Sequence, residues 1–239
     1  MSGLDSNSLL QAYASGMFPM ADSRDASDIF WVKPKTRAIM PLNAFRVSRS
    51  LAKAIRADRF RVTLDTAFSE VVSACARARP GRTDTWINPE IESAYGELHR
   101  RGHAHSIECW QGDALAGGLY GVRLGAAFFG ESMFSSVSNA SKVALAHLVA
   151  RMRAGRFALL DCQFMTDHLG SLGAIEIDAA DYASVLDSAL SSLGSGSISA
   201  SGASVGADLR ALEAAFPESL GEDGALSGYV ISQALGQTS

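Results

Sequence analysis

Between residues 104 and 133 the chain carries three strand-like stretches, 104–110, 114–122 and 126–133. Only Gln111-Gly112-Asp113 and Arg123-Leu124-Gly125 separate them. Connections that short turn each strand back on its neighbour, so the middle of the molecule is committed to hairpins. A helical stretch over 139–154 follows, with Gly155 expected as its left-handed stop, then strands over 157–162 and 174–177 and a helix over 178–190. Upstream, a short helix around 9–13 closes at Gly16, and Ser48 caps a helix over 49–57. Phe60, Val62 and Leu64 alternate as a strand, and Asp65 or Thr66 is placed to cap the next helix. Asn88-Pro89-Glu90 opens a further helix that ends at Gly102: a cap, a proline at the first helical position, an acid in the first turn. Strands interleaved with helices in this order predict an α+β fold, a mixed sheet flanked by helices.

Charge divides the chain where hydropathy does not. From Lys33 to Arg61 there are nine basic residues against the single acid Asp58, whereas the segment after Ser191 has five acids and only Arg210. Arg49, Lys53 and Arg56 fall on one face of the 49–57 helix, opposite Leu51 and Ile55, a surface suited to a phosphate backbone. The expected organisation is a small basic N-terminal domain over 1–60 and a main domain over 61–190. A Ser/Gly/Ala-rich linker with an acidic tail, containing an amphipathic piece at 208–216, fills 191–239. No run of 18 apolar residues suggests a membrane span, and three unpaired-looking cysteines, Cys75, Cys109 and Cys162, suit reduced thiols; a cytoplasmic location is expected.

Chemistry concentrates in Phe128-Phe129-Gly130-Glu131-Ser132-Met133-Phe134-Ser135, Asn139-Ala140-Ser141-Lys142 and Asp161-Cys162-Gln163. Two carboxylates and an amide among apolar residues, without a histidine or metal cluster, suit holding reactants together better than attacking them. Asp161 and Gln163 stand two apart at a strand end, hence on one face. His103 and His105 alternate on a strand but lack a third ligand, so hydrogen bonding is expected of them. A Cys162–His168 nucleophilic pair is disfavoured because Cys162 points away from Asp161 and Gln163.

Six blocks together carry a family likeness: Gly102-His103-Ala104-His105-Ser106-Ile107-Glu108, Gly117-Gly118-Leu119-Tyr120-Gly121-Val122, Phe129-Gly130-Glu131-Ser132-Met133-Phe134-Ser135, Asn139-Ala140-Ser141-Lys142, Leu160-Asp161-Cys162-Gln163 and Ser171-Leu172-Gly173-Ala174. With Gly16-Met17-Phe18-Pro19-Met20, Trp31, Arg37-Ala38 and Thr85-Trp86-Ile87 upstream, the chain resembles leucyl/phenylalanyl-tRNA–protein transferases from about residue 9 to 190. Val32 and Asp178-Ala179 depart from that pattern, the latter standing where the family often has Pro-Arg.

The resemblance implies a GNAT-like acyltransferase domain behind a small N-terminal domain, acting without metal or organic cofactor. The implied reaction moves Leu or Phe (Met less well) from aminoacyl-tRNA to proteins beginning with Arg or Lys, which are then degraded through an N-degron route. Under it, Asp161 and Gln163 hold the amine against the ester, and Glu131 meets the basic acceptor residue. Leu119, Phe128, Phe129, Met133, Phe134 and Leu145 are candidates for the aminoacyl pocket, with only two or three expected at its wall. Trp31 and Trp86 would stack on the 3′-terminal adenosine, and Arg37, Arg49, Lys53 and Arg56 would meet tRNA phosphates. A monomer is expected. The competing readings are a GNAT-type acetyl-CoA enzyme, which would need a glycine-rich pyrophosphate loop absent from 134–142, and a non-catalytic reader of basic N-termini.

Overall fold

The computed structural model describes residues 4–77, 85–191 and 206–236; the segment 192–205, expected as a linker, lies outside the described residues. In chain order the elements are α1 (Ser6–Ala14), β1 (Phe18–Met20), β2 (Phe30–Val32), β3 (Thr36–Ile39), α2 (Arg49–Arg56), β4 (Arg61–Leu64), α3 (Phe68–Ala76), α4 (Pro89–Arg100), β5 (Ala104–Gln111), β6 (Ala114–Leu124) and β7 (Ala127–Ser135). There follow α5 (Ala140–Ala154), β8 (Leu159–Gln163), α6 (Asp167–Ser171), β9 (Ile175–Asp178), α7 (Ala179–Ser191), α8 (Ala211–Ala215) and α9 (Gly228–Ala234). Seven strands form one sheet in the order β4-β5-β6-β7-β8-β3-β9, while β1 and β2 pair separately. All neighbours in the large sheet are antiparallel except β7 and β8. The α+β class and the helix-flanked mixed sheet are therefore present.

The strand periodicity produces two apolar layers. One face of the sheet buries residues of α2, α5 and the C-terminal segment, among them Leu51, Ile55, Leu148, Leu212 and Ile231. The other buries residues of α1, α3, α4 and α7, among them Leu9, Val71, Ile91 and Leu186. Within the stretch 1–60, expected as the N-terminal domain, β3 lies inside the large sheet between β8 and β9, and α2 covers that sheet's face with α5.

Local signals explain most boundaries. Asn88 Oδ1 accepts from Ile91 N at 2.8 Å with proline at the start of α4, as its sequence demands. Two other expectations are corrected. α3 begins at Phe68 without a side-chain cap, because Asp65 bonds His105 and Ser106 N while Thr66 bonds Glu108. Gly155 is not a left-handed stop: its φ is −84°, and Arg156 takes the positive value, 60°. Gly155 is needed for proximity, since a Cβ there would lie 1.9 Å from the Asp208 carbonyl oxygen. The acidic tail is thus packed structure, with Leu209, Leu226 and Leu235 buried in the α5 layer. No helix among the described residues is long and apolar enough to cross a membrane.

Candidate active site

β7 and β8 run parallel only from Ala127↔Leu159 to Phe129↔Asp161. Beyond that point they part, and the gap opens at the carboxyl ends of two parallel strands, where open sheets place ligands. A cavity of about 300 Å³ occupies it, walled by Gly130–Met133 on one side and Cys162–Phe164 on the other. Leu119, Leu145, Leu148, Leu160 and Leu169 give it apolar wall, and Trp86, Tyr120, Thr166 and His168 complete the lining.

Glu131 reaches this gap through a β-bulge. Tyr120 pairs with Ser132 and Gly121 with Gly130, leaving Glu131 as the extra residue of β7. Only glycine fits at 121, where a Cβ would stand 2.2 Å from Phe129 O and 2.4 Å from the Phe128 ring. The bulge also resets the alternation: Phe129 packs in the α1–α4 layer, yet Met133 joins the α5 layer with Phe128. Glu131 consequently stays on the α1–α4 side while Met133 turns to the cavity.

The Glu131 carboxylate is buried and accepts three hydrogen bonds. Tyr13 OH donates to Oε1 at 2.7 Å, Gln163 Nε2 to Oε1 at 2.9 Å and Tyr95 OH to Oε2 at 2.9 Å. The two tyrosine hydroxyls are also in contact, and as each has one proton, a bond between them forms only when one of them is not donating to Glu131. Burial pushes the Glu131 carboxyl up to about 7, against the three donors that favour its charge, with Asp161 adding repulsion.

Asp161 belongs to a different arrangement. Arg37 Nε lies 2.9 Å from Oδ1 and Nη2 lies 2.6 Å from Oδ2; Tyr182 OH donates to Oδ2 at 2.7 Å and Gln163 N to Oδ1 at 2.8 Å. Side-chain exposure is 2% for Arg37 and 0% for Asp161. The guanidinium is sandwiched 4.7 Å from the Phe18 ring centroid and 4.6 Å from that of Tyr182. Arg37, expected to meet a tRNA phosphate, is enclosed and already paired. The same ion pair fixes the end of β8, because Asp161 Oδ1 holds the amide of Gln163, whose φ is 63°. A non-glycine residue there stores roughly 1–3 kcal/mol of strain, sustained by the surrounding contacts.

The remaining candidates separate. Leu119, Met133 and Leu145 line the cavity. Phe128, Phe129 and Phe134 do not; they are core, and Phe128 sits where β7 is still paired with β8 at Leu160. Trp86 lines the cavity, but Trp31 lines a separate, wider cleft with Asn88 and Glu90, so the two tryptophans do not share one site. Arg49, Lys53 and Arg56 form an exposed face of α2 above buried Leu51 and Ile55. His105 Nδ1 lies 2.8 Å from Asp65 Oδ2, a structural contact. Cys162 and His168 both line the cavity, but burial drives the thiol well above its ordinary value and the imidazole below it. Sequence reasoning missed Tyr13, Tyr95, Tyr182 and Phe164. Tyr95 falls on the apolar stripe Ile91, Tyr95, Leu98 and reads as core; only a buried hydroxyl's need for an acceptor hints otherwise. Phe164 is 47% exposed at the cavity edge, edge-on to Phe18.

A family model described as leucyl/phenylalanyl-tRNA protein transferase matches residues 39–187, and one described as the N-terminal domain of that protein matches residues 3–35. A relative named leucyl/phenylalanyl-tRNA–protein transferase from Rhizorhabdus wittichii is 60% identical over 253 aligned positions, covering all of both chains. Relatives with the same name from Phenylobacterium zucineum, 52% identical over 98% of this chain and all of theirs, and from Zymomonas mobilis, 61% identical over 79% of this chain and 70% of theirs, are also similar.

Proposed function

The chain belongs to the leucyl/phenylalanyl-tRNA–protein transferase family, and from that premise we propose that it transfers Leu or Phe, and Met less well, from aminoacyl-tRNA to the α-amine of proteins beginning with Arg or Lys. The product would enter N-degron degradation, and the enzyme would work as a cytoplasmic monomer. One observation carries the reading: a cavity of about 300 Å³ with several leucines in its wall also takes in a carboxylate and an amide, where the parallel strands part.

The reaction replaces an activated ester by an amide, so the energy arrives with the substrate. A protein α-amine has a pKa of about 7.7–8.0, so roughly a tenth is already a free nucleophile at neutral pH. Positioning and preorganised electrostatics then supply most of the acceleration, and no acyl-enzyme is required. Leu119, Met133, Leu145 and Leu148 receive the aminoacyl side chain; Leu, Phe and Met carry no branch at Cβ, which suits a narrow neck of fixed depth. Glu131 meets the acceptor's first residue. Gln163 holds the amine or ester oxygen, and Asp161 acts by positioning, through the Gln163 amide it grips. Trp86 offers a face to the terminal adenosine, and Arg49, Lys53 and Arg56 offer salt-sensitive contacts to phosphates.

The test is incubation with radiolabelled Leu-tRNA and a peptide starting with Arg, with and without RNase. RNase-sensitive label in the peptide is the expected result. Its absence refutes the transferase reading, and full activity in a Gln163→Ala variant refutes the site.

A further inference from the structure

Glu131 has the surroundings of a proton acceptor rather than of an ion-pair partner. Its direct partners, Tyr13 from α1, Tyr95 from α4 and Gln163 from the end of β8, are all neutral. No lysine or arginine among the described residues forms an ion pair with it. The other titratable groups around this cluster are Tyr120 on β6, Tyr182 on α7, the Asp161–Arg37 pair on β8 and β3, and, in the same cavity wall, Cys162 on β8 and His168 on α6. Asp161 is the alternative base, but its charge is already held in a buried ion pair with Arg37, whereas the partners of Glu131 are all neutral.

Resting on the transfer reaction above, we propose that the Glu131 carboxylate takes a proton from the acceptor's α-ammonium, so that it meets the amine of the first residue and not its basic side chain. One proton passes from nitrogen to Glu131. The freed lone pair attacks the ester carbonyl carbon, the C–N bond forms, the C–O bond to the terminal ribose breaks, and a second proton from nitrogen goes to the leaving ribose oxygen. Glu131 returns its proton to water when the product leaves. Burial supports this chemistry: a carboxyl at about 7 lies close to an α-ammonium, and a base near the working pH transfers protons most effectively. Tyr13 and Tyr95, both fully buried, rotate their hydroxyls to serve either protonation state and keep bulk water out.

The test compares the full-length chain with its Glu131→Gln variant in steady-state transfer from Leu-tRNA between pH 6 and 9. Three acceptor peptides are used, differing only at the terminus: Arg, its uncharged isostere citrulline, and an Arg analogue whose α-amine is replaced by a hydrazine already neutral at pH 7. The variant is expected to lose about tenfold in kcat at pH 7, where only about a tenth of the acceptor amine is free without a base, equally for Arg and citrulline, with KM changed less than about threefold. Its rate should lack the wild-type rise centred near pH 7, and most of the loss should vanish with the hydrazine peptide. A loss confined to KM and to the Arg peptide overturns the proposal in favour of side-chain recognition. An equal kcat loss with the hydrazine peptide, or an unchanged pH profile, overturns it as well. A wild-type chain that labels none of the three peptides refutes the transfer reaction itself and the Glu131 role with it.

Discussion

Replacing Asp161 by asparagine keeps the shape of the side chain and removes its charge, leaving the Arg37 guanidinium in a site where its side chain is only 2% exposed. Arg37 then keeps only neutral partners: the asparagine amide oxygen, Gly16 O at 3.0 Å and its two flanking rings. Breaking a buried pair by neutralising one partner costs about 3–5 kcal/mol, because the surviving charge has lost both water and counter-ion. For a chain of this size that corresponds to a fall in Tm on the order of 10 °C. Urea unfolding of Asp161→Asn and of the wild type, followed by far-ultraviolet circular dichroism, measures it directly. The doubly neutral Arg37→Met, Asp161→Leu variant should be more stable than the sum of the single losses by at least about 2 kcal/mol, since it leaves no orphaned charge. If Asp161→Asn is within about 1 kcal/mol of the wild type, the pair is not the structural anchor its geometry implies, and Asp161 becomes available for direct chemistry again.

Three further outcomes follow from the same geometry. Because Glu131 holds its proton up to about pH 7 when folded but only to its ordinary 4.5 when unfolded, the unfolded chain binds fewer protons between these values and stability falls as pH rises. The loss amounts to about 3 kcal/mol by pH 7.5, and Glu131→Gln should abolish that slope in urea titrations at pH 5 and 7.5. Leu145→Phe narrows the cavity from its α5 wall, so transfer of Phe should drop relative to Leu by about 10–200-fold in kcat/KM, with folding intact by circular dichroism. Changing Arg49, Lys53 and Arg56 together to glutamine should flatten the dependence of log affinity for aminoacyl-tRNA on log salt by about 0.7–0.9 per lost phosphate contact, leaving Tm unchanged because all three are exposed.

The elements legible in the sequence are those whose signals are local. α4 announces itself through Asn88 and Pro89, and β5 to β7 through short turns, because caps and hairpins depend on neighbours a few residues away. β3 was illegible for the opposite reason. It is four residues long, and Arg37 within it marks it as surface until its partner, 124 positions away, is known. The site shows the same division. Glu131 and Gln163 stand out as polar residues in apolar surroundings, but their 2.9 Å contact depends on where β7 and β8 separate. Phe128 illustrates the limit: alternation alone puts it on the opposite face from Met133, the bulge restores it to the same face, and continued pairing with Leu160 closes it off from the cavity.

Under the proposed function, the cavity's selectivity also rests on a part of the chain that no motif signals. Leu145 and Leu148 belong to α5, a helix buried nearly all round, which a helix on the outside of a sheet is not unless something covers it. The cover is the C-terminal segment: Arg151, fully buried, bonds Glu213 of α8 at 2.8 Å, and Arg153 bonds Leu42 O and Ala234 O from α9. A pocket that sorts side chains by depth discriminates only if its wall does not yield, since each methylene of slack forfeits about 1–3 kcal/mol of selectivity. α5 is therefore held from behind by residues more than 60 positions further along, and the acids that look like a solvated tail in the sequence include one, Glu213, whose task is to neutralise the arginine that the covering buries.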